Sequence, residues 1–380
     1  MKILFLDQSG KLGGAELSLA DVAAAYRDSC LVGLFADGPF GELLEERQIP
    51  HQVLTHQNIR ISKDSSWRES LQRSASLVPL VMAVAKLARQ YDVVYANTQK
   101  ALVVGAIASF LARRPLVYHL RDILSVDHFS QTNRSIATTL ANRFASLVIA
   151  NSQATQAAFV EAGGRSELVK VVYNGFDPKL YQVSPMVAAS ARQAFNWDER
   201  FIIGHFSRLS PWKGQHILLE ALALCDASVS ALLVGDALFG EDDYVQQLHH
   251  QVETLGLAGR VKFLGFQSDI PVLMAACDGI AHTSTAPEPF GRVIVEAMLC
   301  GRPVIGAAAG GALELIEPDK TGWLCAPSDA KQLAAAIHDM QHHPDKTQAI
   351  AHRARDWACD NFHLQTTQQQ ISQLLESVLT

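Results

Sequence analysis

The chain has 380 residues, 48% of them hydrophobic, a formal net charge of -6 and six cysteines. That is enough chain for two domains with sizeable cores. The acidic balance gives no sign of a nucleic-acid partner, no run of about 18 apolar residues spans a membrane, and the cysteines (Cys30, Cys225, Cys277, Cys300, Cys325, Cys359) are scattered with no C-x-x-C pair, which fits reduced, mostly buried thiols better than a disulfide framework or a zinc site.

The N-terminus, Met1 to Asp7, is too short an apolar run for a signal peptide and reads as a first strand. The loop 8–14 follows, then a helix over 15–27. Apolar runs at 30–36, 93–96, 115–118 and 147–150 read as strands, with helical patterns at 40–48, 75–90, 100–112 and 133–145. Residues 56–74 are polar and break the pattern, as a mobile excursion would. A turn at Asn174, Gly175 and Phe176 precedes an irregular polar stretch, 183–199, where the domain junction is expected. A second series begins at strand 201–206. Strands 229–234, 261–264, 278–281 and 303–306 alternate with helices 213–225, 243–255, 268–276, 291–300, 328–342 and 345–359, and a last amphipathic helix covers 364–379. Strand–helix alternation implies doubly wound, mainly parallel α/β sheets. The expected domains are 1–182, joined by the C-terminal helix in 361–380, and 183–360. Charge is uneven, +3 over residues 1–182 and -9 over 183–380, which suits an anionic partner for the first half.

Four stretches carry chemistry. Gly10, Lys11, Leu12, Gly13, Gly14, Ala15 and Glu16 follow the first strand, and adjacent Gly13 and Gly14 allow close approach of backbone to phosphate or sugar. The loop is neither G-x-G-x-x-G nor a Walker loop, and alone it also fits a plain tight turn. Glu16 suits a helix cap. His119, Arg121 and Asp122 end strand 115–118. Arg208 and Lys213 follow strand 201–206, a planar fork and a compact charge able to neutralise a diphosphate leaving group. Gly235 and Phe266 follow two further strands. Finally Glu288 and Glu296 are separated by seven residues, Pro289 to Val295. A helix beginning near Phe290 or Gly291 would present the amides of Phe290, Gly291, Arg292 and Val293 to a phosphate and hold Glu296 two turns in, placed for ribose hydroxyls. His338, Asp339 and His342 imitate a metal motif without a third ligand, and no metal site is expected.

The segment E-P-F-G-R-V-I-V-E-A-M at 288–298 resembles the signature of glycosyltransferase family 4, retaining nucleotide-sugar enzymes of the GT-B fold. The glycine loop, His119, the Arg208/Lys213 pair and the segments at Asn151 and Asn174 occur in the family's order. The resemblance implies two facing Rossmann-like domains with the C-terminal helix crossing back to the first. It implies a nucleotide-sugar donor, UDP-glucose by family frequency, and no required metal or other cofactor; no D-x-D triplet occurs. In that scheme the 290–293 amides, Arg208 and Lys213 hold the diphosphate, Glu296 the ribose, and Glu288 and His119 the sugar. The base lies near Gly235 and Phe266, and the acceptor side near Arg121 and Asp122. A glycolipid, polysaccharide precursor or other anionic acceptor and a cytoplasmic location are implied. Arg68, Arg73, Lys86 and Arg89 around the apolar stretch 77–87, with Arg113 and Arg114, suit contact with anionic lipid. A nucleotide-sugar epimerase of the same shape and a non-catalytic nucleotide-sugar sensor remain open as other classes.

Overall fold

The computed structural model describes residues 1–55, 67–197, 199–238 and 240–379, with backbone alone over 67–76. Residues 56–66 of the expected excursion, and the side chains of Arg68 and Arg73, lie outside the described part. From Trp67 the expected excursion is already helix, Trp67–Ala88. The chain divides into two compact units, Met1–Gly175 with Leu364–Thr380, and Phe176–His363.

The first unit has, among the described residues, seven strands: β1 (Ile3–Asp7), β2 (Cys30–Leu34), β3 (His51–Val53), β4 (Val93–Ala96), β5 (Leu116–Leu120), β6 (Ala145–Ala150) and β7 (Val169–Val171). They form one parallel sheet in the order β3-β2-β1-β4-β5-β6-β7. The central strands are buried along their whole length, which is why they read as unbroken apolar runs rather than alternating ones. Ile371 and Leu375 of the helix Leu364–Leu379 enter the same core as Ile3, Phe5 and Leu19, so the last helix completes this unit.

The second unit has six described strands: β8 (Phe201–Phe206), β9 (Val229–Val234), β10 (Val261–Phe263), β11 (Gly279–His282), β12 (Val304–Ala307) and β13 (Trp323–Cys325). Their order is β10-β9-β8-β11-β12-β13, again all parallel. In each sheet the winding reverses once, between β1 and β4 and between β8 and β11. Open α/β sheets bind ligands beyond the carboxyl ends of their strands at such reversals.

Sequence reading missed β3, β7 and β13. Each has three residues, too few for any period to show. The stretch 183–199 is not irregular throughout: Pro185–Gln193 is a helix. Its start was legible, because Ser184 Oγ accepts from the Val187 amide at 3.3 Å and Pro185 takes the first helical position. No described helix is long and apolar enough to cross a membrane.

Candidate functional site

In the second unit the reversal between β8 and β11 brings two strand ends together. The register pairs Ile203 with Gly279 and Gly204 with Ile280, so both strands end level, at Phe206 and His282. Beyond β8 a short turn of helix, Pro211–Lys213, delivers Lys213. Beyond β11 the chain runs through Thr283 and Ser284 to Glu288. Lys213 Nζ donates to both carboxylate oxygens of Glu288, at 3.0 and 2.8 Å. Ser284 Oγ donates to Glu288 Oε2 at 2.8 Å, and His282 Nε2 stands 3.2 Å from the same oxygen. Burial pushes this carboxyl up, but the Lys213 ammonium and His282 outweigh burial and hold it well below the usual carboxylate range. Glu288 is therefore a fixed anion. Oε2 takes three of these bonds and Oε1 one, so Oε1 retains acceptor capacity for a ligand hydroxyl.

Lys213 has three N–H donors, and Glu288 uses two. Its ammonium also rests 4.0 Å from the centre of the Trp212 ring, and the Arg208 guanidinium lies 5.7 Å from that ring. Lys213 and Glu288 cancel in charge, and Arg208 adds a second cation beside the same ring.

The loop carrying Glu288 is clamped from behind. Gly311 N donates to Glu288 O at 2.7 Å, and Gly310, in the loop after β12, forms a parallel bridge with Glu288. A side chain on Gly310 would meet Glu288 O at 2.3 Å and Glu288 N at 2.7 Å, and its φ of 61° already favours glycine. His282, Ser284 and this glycine pair were not identified from sequence. The available signals were polar residues at the end of a buried strand and adjacent glycines before a short helix.

The helix after Glu288 is Arg292–Leu299, beginning neither at Phe290 nor at Gly291. Gly291 is its cap at φ 97°, a left-handed conformation that cannot lie inside a right-handed helix. Arg292 and Val293 open the helix, while Ile294 N is already bonded to Gly291 O at 3.0 Å. Phe290 stands ahead of the cap, and its ring is an aromatic anchor. Its buried ring stacks 6.3 Å from Phe176 and meets Phe362 edge-on at 5.8 Å. Arg292 lies over Phe176 at 4.6 Å and 3.3 Å from Glu296 Oε1, to which Tyr181 also donates at 3.5 Å. Gly235 follows β9 and donates to Gly265 O at 2.9 Å. Phe266, the next residue, is 60% exposed, an unusual place for a large ring.

In the first unit the corresponding ends carry a buried polar chain. Asn97, after β4, donates to Asp7 Oδ2 at 2.7 Å and accepts from Arg121 Nε at 2.9 Å; Arg121 Nη1 donates to Asn174 Oδ1 at 2.6 Å. Arg121 is buried and bonded within the unit. Gly13 caps the helix Gly14–Ala23 in an extended conformation open to any residue, and Glu16 on the first turn is buried. Burial, then the charge of Asp7, pushes the Glu16 carboxyl up to about 8; burial also raises Asp7, to about 6. His119 lies within β5, not beyond it, and is 2% exposed. Its Nδ1 is hydrogen-bonded to the Tyr95 hydroxyl, and its Nε2 has no partner among the described residues. Asn151 Nδ2 donates to Arg121 O at 3.4 Å.

His338 and His342 stack at 4.0 Å, and His342 Nε2 lies 3.6 Å from Asp226. Among the described residues no three ligating side chains converge.

Residues 12–180 match the family described as Glycosyltransferase Family 4, and residues 188–357 the family described as glycosyl transferases group 1. The crystal structure of HepE from Anabaena in complex with UDP-glucose is 60% identical, with a TM-score of 0.94, over 99% of this chain and 100% of that one. The GDP-mannose-dependent alpha-(1-6)-phosphatidylinositol monomannoside mannosyltransferase of Mycolicibacterium smegmatis is 29% identical over 71% of this chain and 75% of that protein. A glycosyltransferase structure from Rickettsia africae shares the fold, with a TM-score of 0.83 at 21% identity over 100% of this chain and 98% of that one.

Two expectations concern stability. Lys213→Ala leaves Glu288 buried without its ammonium, a change that costs about 3–5 kcal/mol in comparable buried pairs. With its nearest cation gone, the Glu288 carboxyl is expected to rise under burial, so that the variant's stability is fuller at low pH and lost as pH rises. Denaturant unfolding should show a larger deficit at pH 7.5 than at pH 5, and adding Glu288→Gln should recover part of it. An equal deficit at both pH values would contradict a charged, orphaned Glu288.

Glu16 follows the same sign. With its folded-state value raised from 4.5 to about 8, its contribution is full below 4.5 and lost as pH passes 8. The Asp7 part, from 3.8 to about 6, is complete earlier. Wild-type melting temperature should therefore fall between pH 6 and 8, and Glu16→Gln should flatten that fall. Parallel profiles for the two proteins would refute the raised Glu16.

Proposed function

The chain is a glycosyltransferase of family 4 with the GT-B fold, and from that premise we propose that it moves glucose from UDP-glucose to an acceptor hydroxyl with retention and without a required metal. The observation that carries the donor is HepE, crystallised with UDP-glucose at 60% identity across nearly the whole chain. Arg208, the third N–H of Lys213 and the Arg292 and Val293 amides would bind the diphosphate. Glu296 would take the ribose, Glu288 Oε1 a sugar hydroxyl, and His119 another; the glycine loop at Gly13 and Gly14 and the exposed Phe266 ring would serve the diphosphate and base.

The chemistry follows from charge. As the bond from sugar C1 to the phosphate oxygen breaks, negative charge grows on the diphosphate, and a cation aimed there binds the transition state more tightly than the ground state. The acceptor oxygen bonds to C1 on the face the phosphate leaves, and its proton passes to the departing phosphate oxygen. Glu288 does not suit a nucleophile's role, because Lys213, Ser284 and His282 crowd Oε2 and Lys213 also bonds Oε1, which damps the charge either oxygen could offer to carbon.

The acceptor we propose is a glycolipid or polysaccharide precursor reached at an anionic membrane surface. Val78 and Met82 on one helix, and Ile107, Phe110 and Leu111 on its packed neighbour Gln99–Ala112, are exposed, Phe110 at 63%. Lys86, Arg89, Arg113 and Arg114 lie at the ends of these helices, so apolar and basic groups share one region.

Arg208→Ala should lower kcat at saturating UDP-glucose by about 100- to 1,000-fold. Wild-type turnover should survive EDTA, and NMR of the product should show the donor's anomeric configuration. An inverted product would overturn retention; strict metal dependence or near-normal Arg208→Ala turnover would remove Arg208 from charge neutralisation. Separately, the protein should sediment with vesicles containing phosphatidylglycerol and not with phosphatidylcholine alone. Phe110→Ser with Arg113→Ser and Arg114→Ser should abolish that difference, and wild-type indifference to lipid charge would sink the membrane reading.

A further inference from the structure

Tyr95 and His119 form a buried pair that the proposed chemistry leaves half explained. The register of β4 and β5 sets Tyr95 opposite Val117. His119, two residues further along β5, emerges on the same face of the sheet, within diagonal reach of a long aromatic side chain. The rings meet edge-on at 5.7 Å, and Phe5 closes the other side of Tyr95 at 4.9 Å. Both residues are buried. The Tyr95 hydroxyl bonds to His119 Nδ1, and among the described residues it has no other partner.

Two arrangements of protons are open to such a pair, and they leave different groups unsatisfied. If Nδ1–H donates to Tyr95, the phenol proton is buried without an acceptor and Nε2 is a bare lone pair, two orphans. If Tyr95 O–H donates to Nδ1, every group of the pair is used except one Nε2–H. A buried unmade hydrogen bond is costly, so the arrangement with one orphan is favoured. Burial, and secondarily the Arg121 charge, hold His119 well below its usual range, so the ring is neutral and has a definite tautomer. Burial likewise pushes the Tyr95 phenol above its ordinary value, so its proton stays in place to be donated. No other titratable side chain is bonded to the ring among the described residues.

We propose that Tyr95 is a positioning residue: by donating to Nδ1 it fixes His119 as the Nε2–H tautomer and leaves that N–H as a hydrogen-bond donor for a hydroxyl of the bound sugar. The ligand class rests on the glycosyltransferase reading, whereas the tautomer does not. Tyr95 touches no substrate in this scheme. It acts by choosing which imidazole nitrogen offers a proton and by fixing the ring's orientation, as the second partner of a ligating histidine commonly does.

The test separates the two layers. Protein labelled with nitrogen-15 in its histidine rings is examined by long-range proton–nitrogen NMR without substrate, and His119→Gln assigns the signal among the fourteen histidines. The wild type should show a protonated Nε2 and an Nδ1 that accepts a hydrogen bond. Tyr95→Phe should move the Nδ1 signal toward that of an unbonded nitrogen. It should lower kcat with UDP-glucose by about 10-fold, while the Kd for UDP stays within about twofold. A protonated Nδ1 in the wild type overturns the proposal without recourse to any variant, so a Tyr95→Phe protein that failed to fold would not shield it. An unmoved Nδ1 signal, or equal losses in UDP binding and turnover, also overturns it. The stated nitrogen pattern in a protein that turns over no UDP-glucose would support the Tyr95 assignment and defeat the donor reading instead.

Discussion

The Glu288 carboxylate is the constraint around which the second unit's strand ends are arranged. It is buried, and an isolated buried carboxylate would take up a proton rather than remain charged. It stays ionised because β8 supplies Lys213, β11 supplies His282 and Ser284, and the residues after β12 grip its backbone. The partners come from three strand ends, so the arrangement exists only when the sheet has its full register. The same fact explains the chemistry available to it. Three of its four side-chain bonds fall on Oε2, so Oε1 is the oxygen left to accept from a further donor.

The first unit solves a related problem differently. Its strand ends bury Asp7, Asn97, Arg121 and Asn174 in one chain of bonds, with Glu16 close to Asp7. Here one cation serves two carboxyls, and burial prevails: both carboxyls are raised rather than lowered. The contrast with Glu288 is one of proximity, since direct ammonium contact outweighs desolvation and a guanidinium that is not bonded to the carboxyl does not.

Much of the fold was legible because its parallel strands are buried on both faces and appear as apolar runs separated by helical periods. The glycosyltransferase assignment was legible because the family's residue types recur at fixed local spacing, as at Arg208, Lys213, Glu288 and Glu296. Local chemistry also set the limits. The helix after Glu288 was placed one to two residues early, because no pattern rule distinguishes a glycine inside a first turn from one at φ 97° ahead of it. The helix Pro185–Gln193 was overlooked although its Ser–Pro start was present, since a polar face was taken for irregular chain.

The sequence by itself determined the alternation of strands and helices, the motif residue types and their order, and so the family. Only the tertiary structure decided who bonds to whom. Tyr95 and His119 are 24 residues apart, Asn97 and Asp7 90, and Lys213 and Glu288 75. Such distances are closed by crossover connections and by register, whose period of two sends one residue to a site and its neighbour to the core. Spacing along the chain therefore revealed Glu288 and His119 as candidates. Which proton each holds depends on partners that only the assembled sheets bring within reach.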